Sequence, residues 1–295
     1  HAEAQLTLGE RYYYGFGVEE DNVQAAHWFR QAAEQDNTQA QWHLGVCYEN
    51  GYGVEKDETQ AAQWYRQAAR LGESLAQHSL GECYENGIGV KKDADQAAQW
   101  YRKSAEQDSS FGQYDLGRCY ANGIGVERDL AQAVHWYQKA AEQGLDEAQN
   151  NLGLCYEYGR GVEQDFTQAV QWYRKAAELY NENAYYWSGL CSYFGRDAEQ
   201  DYAQAAEWFR KAAELGDWYA YYWLGTCYDS GRGVEQDYAQ AVEWYRKAAE
   251  LGDEYACYRL GTCYLQGRGV KKDLTQAVKC FREAAELGDE NAYYP

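Results

Sequence analysis

The chain has 295 residues, with 27 Lys and Arg against 47 Asp and Glu, a formal net charge of −20, and 30 Tyr and 11 Trp but one Pro and no Met. The acidic excess is spread along the whole length, which argues against nucleic acid and anionic lipid surfaces as partners, since both select clustered Lys and Arg. No apolar run approaches the ~20 residues of a membrane span.

A Leu-Gly pair stands at Leu8, Leu44, Leu80, Leu116, Leu152, Leu224 and Leu260, always in step with a 36-residue period, and Ser188-Gly189 fills the sixth place. Eight gapless copies follow: 4–39, 40–75, 76–111, 112–147, 148–183, 184–219, 220–255 and 256–291. A fixed period of this length means stacked supersecondary units, so 1–295 is expected to form one solenoid without linkers.

Within each copy the elements run in one order, seen clearly in the seventh. Ala220, Leu224, Cys227 and Tyr228 form an i, i+4, i+7, i+8 stripe, the core face of a first helix. Gly225 inside that helix costs about 1 kcal/mol relative to Ala, so it should mark a crossing where another backbone comes close. Gly231-Arg232-Gly233-Val234 supplies the turn. Asp237 then caps a second helix, and Gln240 is placed to reach back as in a capping box. The pair recurs in every copy, so capping accounts for the ladder of carboxylates without metal or acid chemistry. Ala241, Val242, Tyr245, Ala248 and Ala249, with Trp244, form the second core stripe. Gly252 ends that helix in the left-handed conformation and Asp253 opens the next turn.

The pattern A-x-x-x-L-G-x-x-Y-x-x-G-x-G-V-x-x-D-x-x-Q-A-x-x-W-[YF]-x-x-A-A-x-x-G, as in Ala40 to Gly72, resembles the Sel1-like repeats, relatives of the tetratricopeptide repeats. The resemblance covers essentially the whole chain. It implies an all-α fold, a right-handed α/α superhelical solenoid of eight helix-turn-helix repeats with a concave face, serving as an adaptor for protein complexes. It brings no catalytic residues. A cysteine-rich branch of the family places two Cys per repeat to staple helices, whereas here one recurs, as Cys47, Cys83, Cys119, Cys155, Cys191, Cys227 and Cys263. Successive members should lie about 10 Å apart, beyond the ~7 Å reach of a disulfide, and are expected to be free, buried thiols. Cys257 and Cys280 lie outside the ladder and leave a bridge open as an alternative. Unpaired thiols favour a cytoplasmic site. The start at His1 and the lack of Met suggest a processed or trimmed chain, which keeps a periplasmic or secreted location as the alternative.

His27, His43, His78 and His135 have no Cys or carboxylate at ligand spacing, so neither a metal nor a cofactor is expected. Nucleophile-elbow, zincin, P-loop and dinucleotide fingerprints are missing, and no enzyme is expected.

In a solenoid the constant positions build the core, and a partner is read by the positions that vary on one face. On the first helix that face becomes aromatic in copies six to eight: Tyr186, Trp187, Leu190, Tyr193, Phe194, Tyr222, Trp223, Tyr258 and Arg259 are the candidate partner-binding residues. Copy six also breaks the core pattern, with Ser188 for Leu, Ser192 for Tyr, Asp197 for Gly and Ala198 for Val. Two readings follow: its aromatics form an exposed interaction patch, or they refill the core the serines vacate. The favoured function is a non-enzymatic scaffold holding a peptide or protein segment on that face. End-to-end self-assembly is the alternative, because copy one keeps Leu8, Tyr12, Trp28 and Phe29 and Ala292-Tyr293-Tyr294 begin a ninth copy, although Cys280 and Glu283 look like a finished end. Carbohydrate binding on the aromatic face is a third, weaker reading.

Overall fold

Each second helix begins at the aspartate the repeat places there. Asp57 accepts from the backbone N–H groups of Thr59 and Gln60, both at 3.0 Å. Asp21, Asp93, Asp129, Asp165, Asp201, Asp237 and Asp273 each accept from the N–H of the Gln three residues on in their own helices. These bonds satisfy amides that a helix start leaves without partners. The glutamine contributes its backbone N–H to the cap; the Gln204 side chain turns away and accepts from the Ser192 hydroxyl at 3.0 Å. First helices end on a left-handed glycine, as at Gly51 with φ 76°, whose N–H returns to the Cys47 carbonyl.

These signals produce sixteen helices and no strand among the described residues, 1–196 and 200–290 of a computed structural model. In chain order they are α1 (Ala2–Tyr14), α2 (Asn22–Ala33), α3 (Thr38–Asn50), α4 (Glu58–Arg70), α5 (Ser74–Asn86), α6 (Ala94–Glu106), α7 (Ser110–Asn122) and α8 (Leu130–Glu142). Then come α9 (Asp146–Tyr158), α10 (Phe166–Glu178), α11 (Glu182–Phe194), α12 (Tyr202–Glu214), α13 (Trp218–Ser230), α14 (Tyr238–Glu250), α15 (Glu254–Gln266) and α16 (Leu274–Glu290). They fall into two compact units, His1–Ala148 with Arg160–Glu163, and Gln149–Gly159 with the residues from Gln164 onward. Asp197, Ala198 and the terminal Ala292, Tyr293 and Tyr294, singled out above, lie outside the described residues.

Inside each unit the core repeats one contact, and it corrects the expectation for the mid-helix glycine. A Cβ on Gly81, Gly153 or Gly189 would sit 2.5 Å from a ring carbon of Tyr101, Tyr173 or Phe209 respectively. What comes close is thus chiefly an aromatic ring of the second helix rather than a backbone. Tyr65, Tyr101, Tyr173, Tyr245, Phe29 and Phe209 are all fully buried this way, walled by the repeated Leu, Cys and Ala. Cys47, Cys83, Cys119, Cys227, Cys257, Cys263 and Cys280 are free and buried, and Cys155 and Cys191 are buried as well. Burial pushes the thiols of Cys47, Cys83, Cys119 and Cys227 up to about 12, so thiolate chemistry at neutral pH is suppressed.

The end of the second helix carries a local conflict. Gly72, Gly144, Gly216 and Gly252 adopt φ between 88° and 98°, but Tyr180 holds the equivalent place at φ 64°. Its side chain is 80% exposed, so packing does not compensate for the strained backbone. Tyr180→Gly is expected to stabilise the second unit by about 1 kcal/mol. A rise in the urea midpoint checks this, and a fall would show that the Tyr180 ring contributes more than its backbone costs.

Candidate functional site

The buried ring of each copy dictates what may stand around it. Where the ring is Tyr, the first-helix residue sixteen before it supplies an acceptor: the Tyr65 hydroxyl donates to Glu49 at 2.6 Å, Tyr101 to Glu85 at 2.7 Å and Tyr173 to Glu157 at 2.6 Å. Asp229 holds that place before Tyr245, but the Tyr245 hydroxyl meets the Thr226 hydroxyl instead, at 3.4 Å. Where the ring is Phe there is no hydroxyl to satisfy, and Tyr13, Tyr193 and Leu265 stand opposite Phe29, Phe209 and Phe281. Copy four, with Ala121 before Tyr137, departs from the rule as well.

Copy six is therefore a repacked core that also presents an aromatic face. Leu190 and Tyr193, both expected in the partner-binding set, are only 6% and 5% exposed and pack in one cluster with Phe209, and Ser188 and Ser192 are buried too. Trp187 stacks on Tyr173 with ring centres 6.0 Å apart and planes at 16°, and Trp223 stacks on Phe209 at 5.8 Å and 15°. These tryptophans lie over the buried ring of the preceding copy, as His43 lies over Phe29. Tyr186 and Tyr222 are half-buried, whereas Phe194, Tyr258 and Arg259 are exposed.

Three first helices of the second unit, α11, α13 and α15, converge on a cleft of about 540 Å³ lined by Tyr186, Trp218, Tyr219, Tyr222, Trp223, Gly252, Asp253, Glu254 and Tyr255. It joins three expected residues, Tyr186, Tyr222 and Trp223, to others that the helical-face argument missed. Trp218, Tyr219 and Tyr255 occupy the two places before the constant Ala, where other copies carry Thr38-Gln39, Ser74-Leu75 or Asp146-Glu147. The clustering in DWYAYYW was the available signal. Leu190, Tyr193, Phe194, Tyr258 and Arg259 do not line the cleft, and Trp187 contributes through its edge contact with Tyr186, 5.2 Å between centres.

The walls are held from below. Burial lifts the Tyr186 phenol to about 12 although the Trp223 indole N–H donates to it, and Arg259 donates to the Tyr222 hydroxyl. Asp253 caps α15, accepting from the Ala256 N–H at 2.6 Å. No lining residue is basic, and none is a nucleophile poised beside a base.

The histidines go elsewhere. His43 is 7% exposed and burial lowers its pKa to about 4. His78 meets Asp115 at 2.7 Å and Glu82 at 3.5 Å, while Arg118 pairs with Asp115 at 2.9 Å and Glu85 at 2.8 Å. Burial opposes the imidazolium, but the hydrogen bond to Asp115 and the charges of Glu82 and Asp115 outweigh it and raise the His78 pKa. A raised folded pKa contributes stability that is full below the unfolded value near 6.5 and is lost as pH rises through the folded pKa. The unfolding midpoint of the first unit is expected to fall across that rise, and His78→Gln should remove the dependence; equal profiles for both proteins would refute the linkage. The described residues bring no three His, Cys, Asp or Glu together to hold a metal ion, and none of their helices is long and apolar enough to cross a membrane.

The Sel1 repeat family model matches residues 2–37, 38–73, 74–109, 110–145, 146–181, 183–217, 218–253 and 254–289. The chain belongs to the Sel1 repeat family. It is similar to the crystal structure of c5321, a protective antigen present in uropathogenic Escherichia coli strains that displays an SLR fold, at 36% identity, 97% coverage of this chain, 69% of that one, and a TM-score of 0.75. It is also similar to a Sel1 repeat protein from Oxalobacter formigenes, at 33% identity, 99% and 86% coverage, and a TM-score of 0.68. No curated protein matches the sequence. Sel1 repeat proteins are generally protein–protein interaction scaffolds. Apart from the sixth, which starts one residue earlier, the Sel1 repeats start two residues before the copies read from Leu-Gly, so Trp218 opens the seventh Sel1 repeat and Glu254 the eighth.

Proposed function

We propose that this Sel1 repeat protein is a non-enzymatic scaffold that holds a segment of a partner protein in the aromatic cleft of its second unit. The observation that carries this reading is the convergence of six aromatic side chains from three consecutive first helices on one open cleft of about 540 Å³. Tyr and Trp supply large contact area at low entropic cost and dominate interface energetics, and a concave, mostly apolar site is where a ligand buries its surface. Free, buried thiols such as Cys47, Cys83 and Cys119 fit a reducing compartment, and on that ground the cytoplasm is proposed.

Trp187 and Trp223 lie over buried rings, so replacing them would disturb the core. Trp218 and Tyr255, 37% and 63% exposed, are cleaner probes. Random heptapeptides displayed on phage and selected on the wild-type chain should include a set that no longer binds Trp218→Ala/Tyr255→Ala, with the helical circular dichroism of the variant unchanged. Sedimentation velocity over a hundredfold concentration range separates this reading from self-association: growth that the double variant abolishes would make a second copy the occupant. Quenching of Trp fluorescence by a glycan panel, with no peptide selected, would move the cleft to the carbohydrate reading.

A further inference from the structure

Resting on that reading, we infer that the segment received by the cleft is a polyproline II stretch with two prolines three residues apart, one seated on each of two tyrosine pairs. Between ring centres Tyr186 lies 5.6 Å from Tyr219, and Tyr222 lies 6.1 Å from Tyr255. The first pair bridges α11 and α13, the second α13 and α15. They are one feature built twice. In each, the members are the third and the last residues of a copy, 184–219 and 220–255, and no other copy has Tyr at both places. All four rings line the cleft, which is thus a ladder of two rungs one repeat apart.

Spacing decides the class of occupant. Helices packed side by side stand about 8–10 Å apart, which sets the separation of the rungs. A polyproline II helix turns once in three residues and rises about 9 Å in doing so, so residues i and i+3 present one face at the rung spacing. An α-helix needs about seven residues to cover the same distance, and a short one is only marginally stable in water before it binds. A β-strand needs a sheet edge to pair with, whereas these walls are helices whose backbone groups bond along their own axes. A polyproline II segment needs no such edge. Its carbonyls carry no internal hydrogen bonds, and the exposed Trp218, Tyr219 and Tyr255 bring indole N–H and phenol O–H donors to them. Proline at the two contact positions lays an apolar ring on the aromatic faces, and its fixed φ reduces the entropy lost on docking.

The heptapeptide selection tests this through the register of the binders. Cleft-dependent peptides should be enriched in P-x-x-P. In a synthetic binder, replacing either proline by Ala should weaken titrated binding about tenfold, and moving one proline by a single residue at constant composition should weaken it as much. In double-mutant cycles one proline should couple to Tyr219→Ala and the other to Tyr255→Ala, each substitution removing one rung. Peptides that need Trp218 and Tyr255 but lack the proline pair, or that bind equally well with one proline moved, would overturn the polyproline inference and leave the scaffold reading standing. If no selected peptide depends on Trp218 and Tyr255, both fall together.

Discussion

Replacing Glu157 by alanine is expected to destabilise the second unit by about 3 kcal/mol, among the largest effects of any single side chain in the molecule. Its carboxylate is buried, accepts from the Tyr173 hydroxyl at 2.6 Å and pairs with the Arg196 guanidinium. Alanine would remove the acceptor of the buried Tyr173 hydroxyl and the partner of the half-buried Arg196 guanidinium, and the penalty for losing them exceeds the net value of the bonds themselves. Adding Tyr173→Phe should recover part of the loss, because the chain itself places no carboxylate opposite Phe29, Phe209 or Phe281. Urea unfolding followed by circular dichroism decides it. Should Glu157→Ala unfold with the wild type, or Tyr173→Phe add its full cost on top, the pairing rule is wrong. Since Trp187 stacks on Tyr173, the same substitution should loosen the aromatic face beside the cleft.

The second large effect is steric. Gly89 has φ 64°, and a Cβ there would overlap the carbonyl oxygen of Glu58, in the first turn of the preceding copy's second helix. Gly53, Gly125, Gly161, Gly233 and Gly269 meet the same carbonyl in their own neighbours, so the second glycine of the turn is where one copy seats on the next. Gly89→Ala is expected to cost about 3 kcal/mol, combining left-handed strain with displacement of backbone that cannot yield as a side chain would. Gly72→Ala is the control: φ is 98°, with nothing within 4 Å of the added Cβ. It should cost only the conformational part, about 1 kcal/mol. The urea midpoints of the two variants measure the difference, and equal losses would remove the close approach from the account.

Much of this was legible from residue order because the period repeats each physical reason eight times. The caps at Asp21 through Asp273, the left-handed glycines and the Leu, Cys and Ala core all follow from local rules that need no knowledge of neighbours. What sits on Gly81 was not legible: spacing shows that something must come close, but whether it is a backbone or the Tyr101 ring depends on the crossing of two helices. The substitutions in copy six left two readings open for a similar reason. Tyr193 looks like a surface aromatic until Phe209 is seen to lack the hydroxyl that Glu157 serves in the copy before. Trp218, Tyr219 and Tyr255 escaped because they precede the amphipathic stripe and gain a common site only when α11, α13 and α15 are set side by side.

The most direct test of the central claim is fluorine NMR of the chain labelled throughout with 5-fluorotryptophan, its eleven tryptophans assigned by single substitution, during titration with the pool of cleft-selected heptapeptides. The account predicts that the Trp218 and Trp223 resonances move together and saturate. Trp28, Trp64, Trp100 and Trp136 of the first unit should stay fixed. Saturable shifts confined to the first unit, or to Trp172, Trp208 and Trp244 on the second helices, would contradict it.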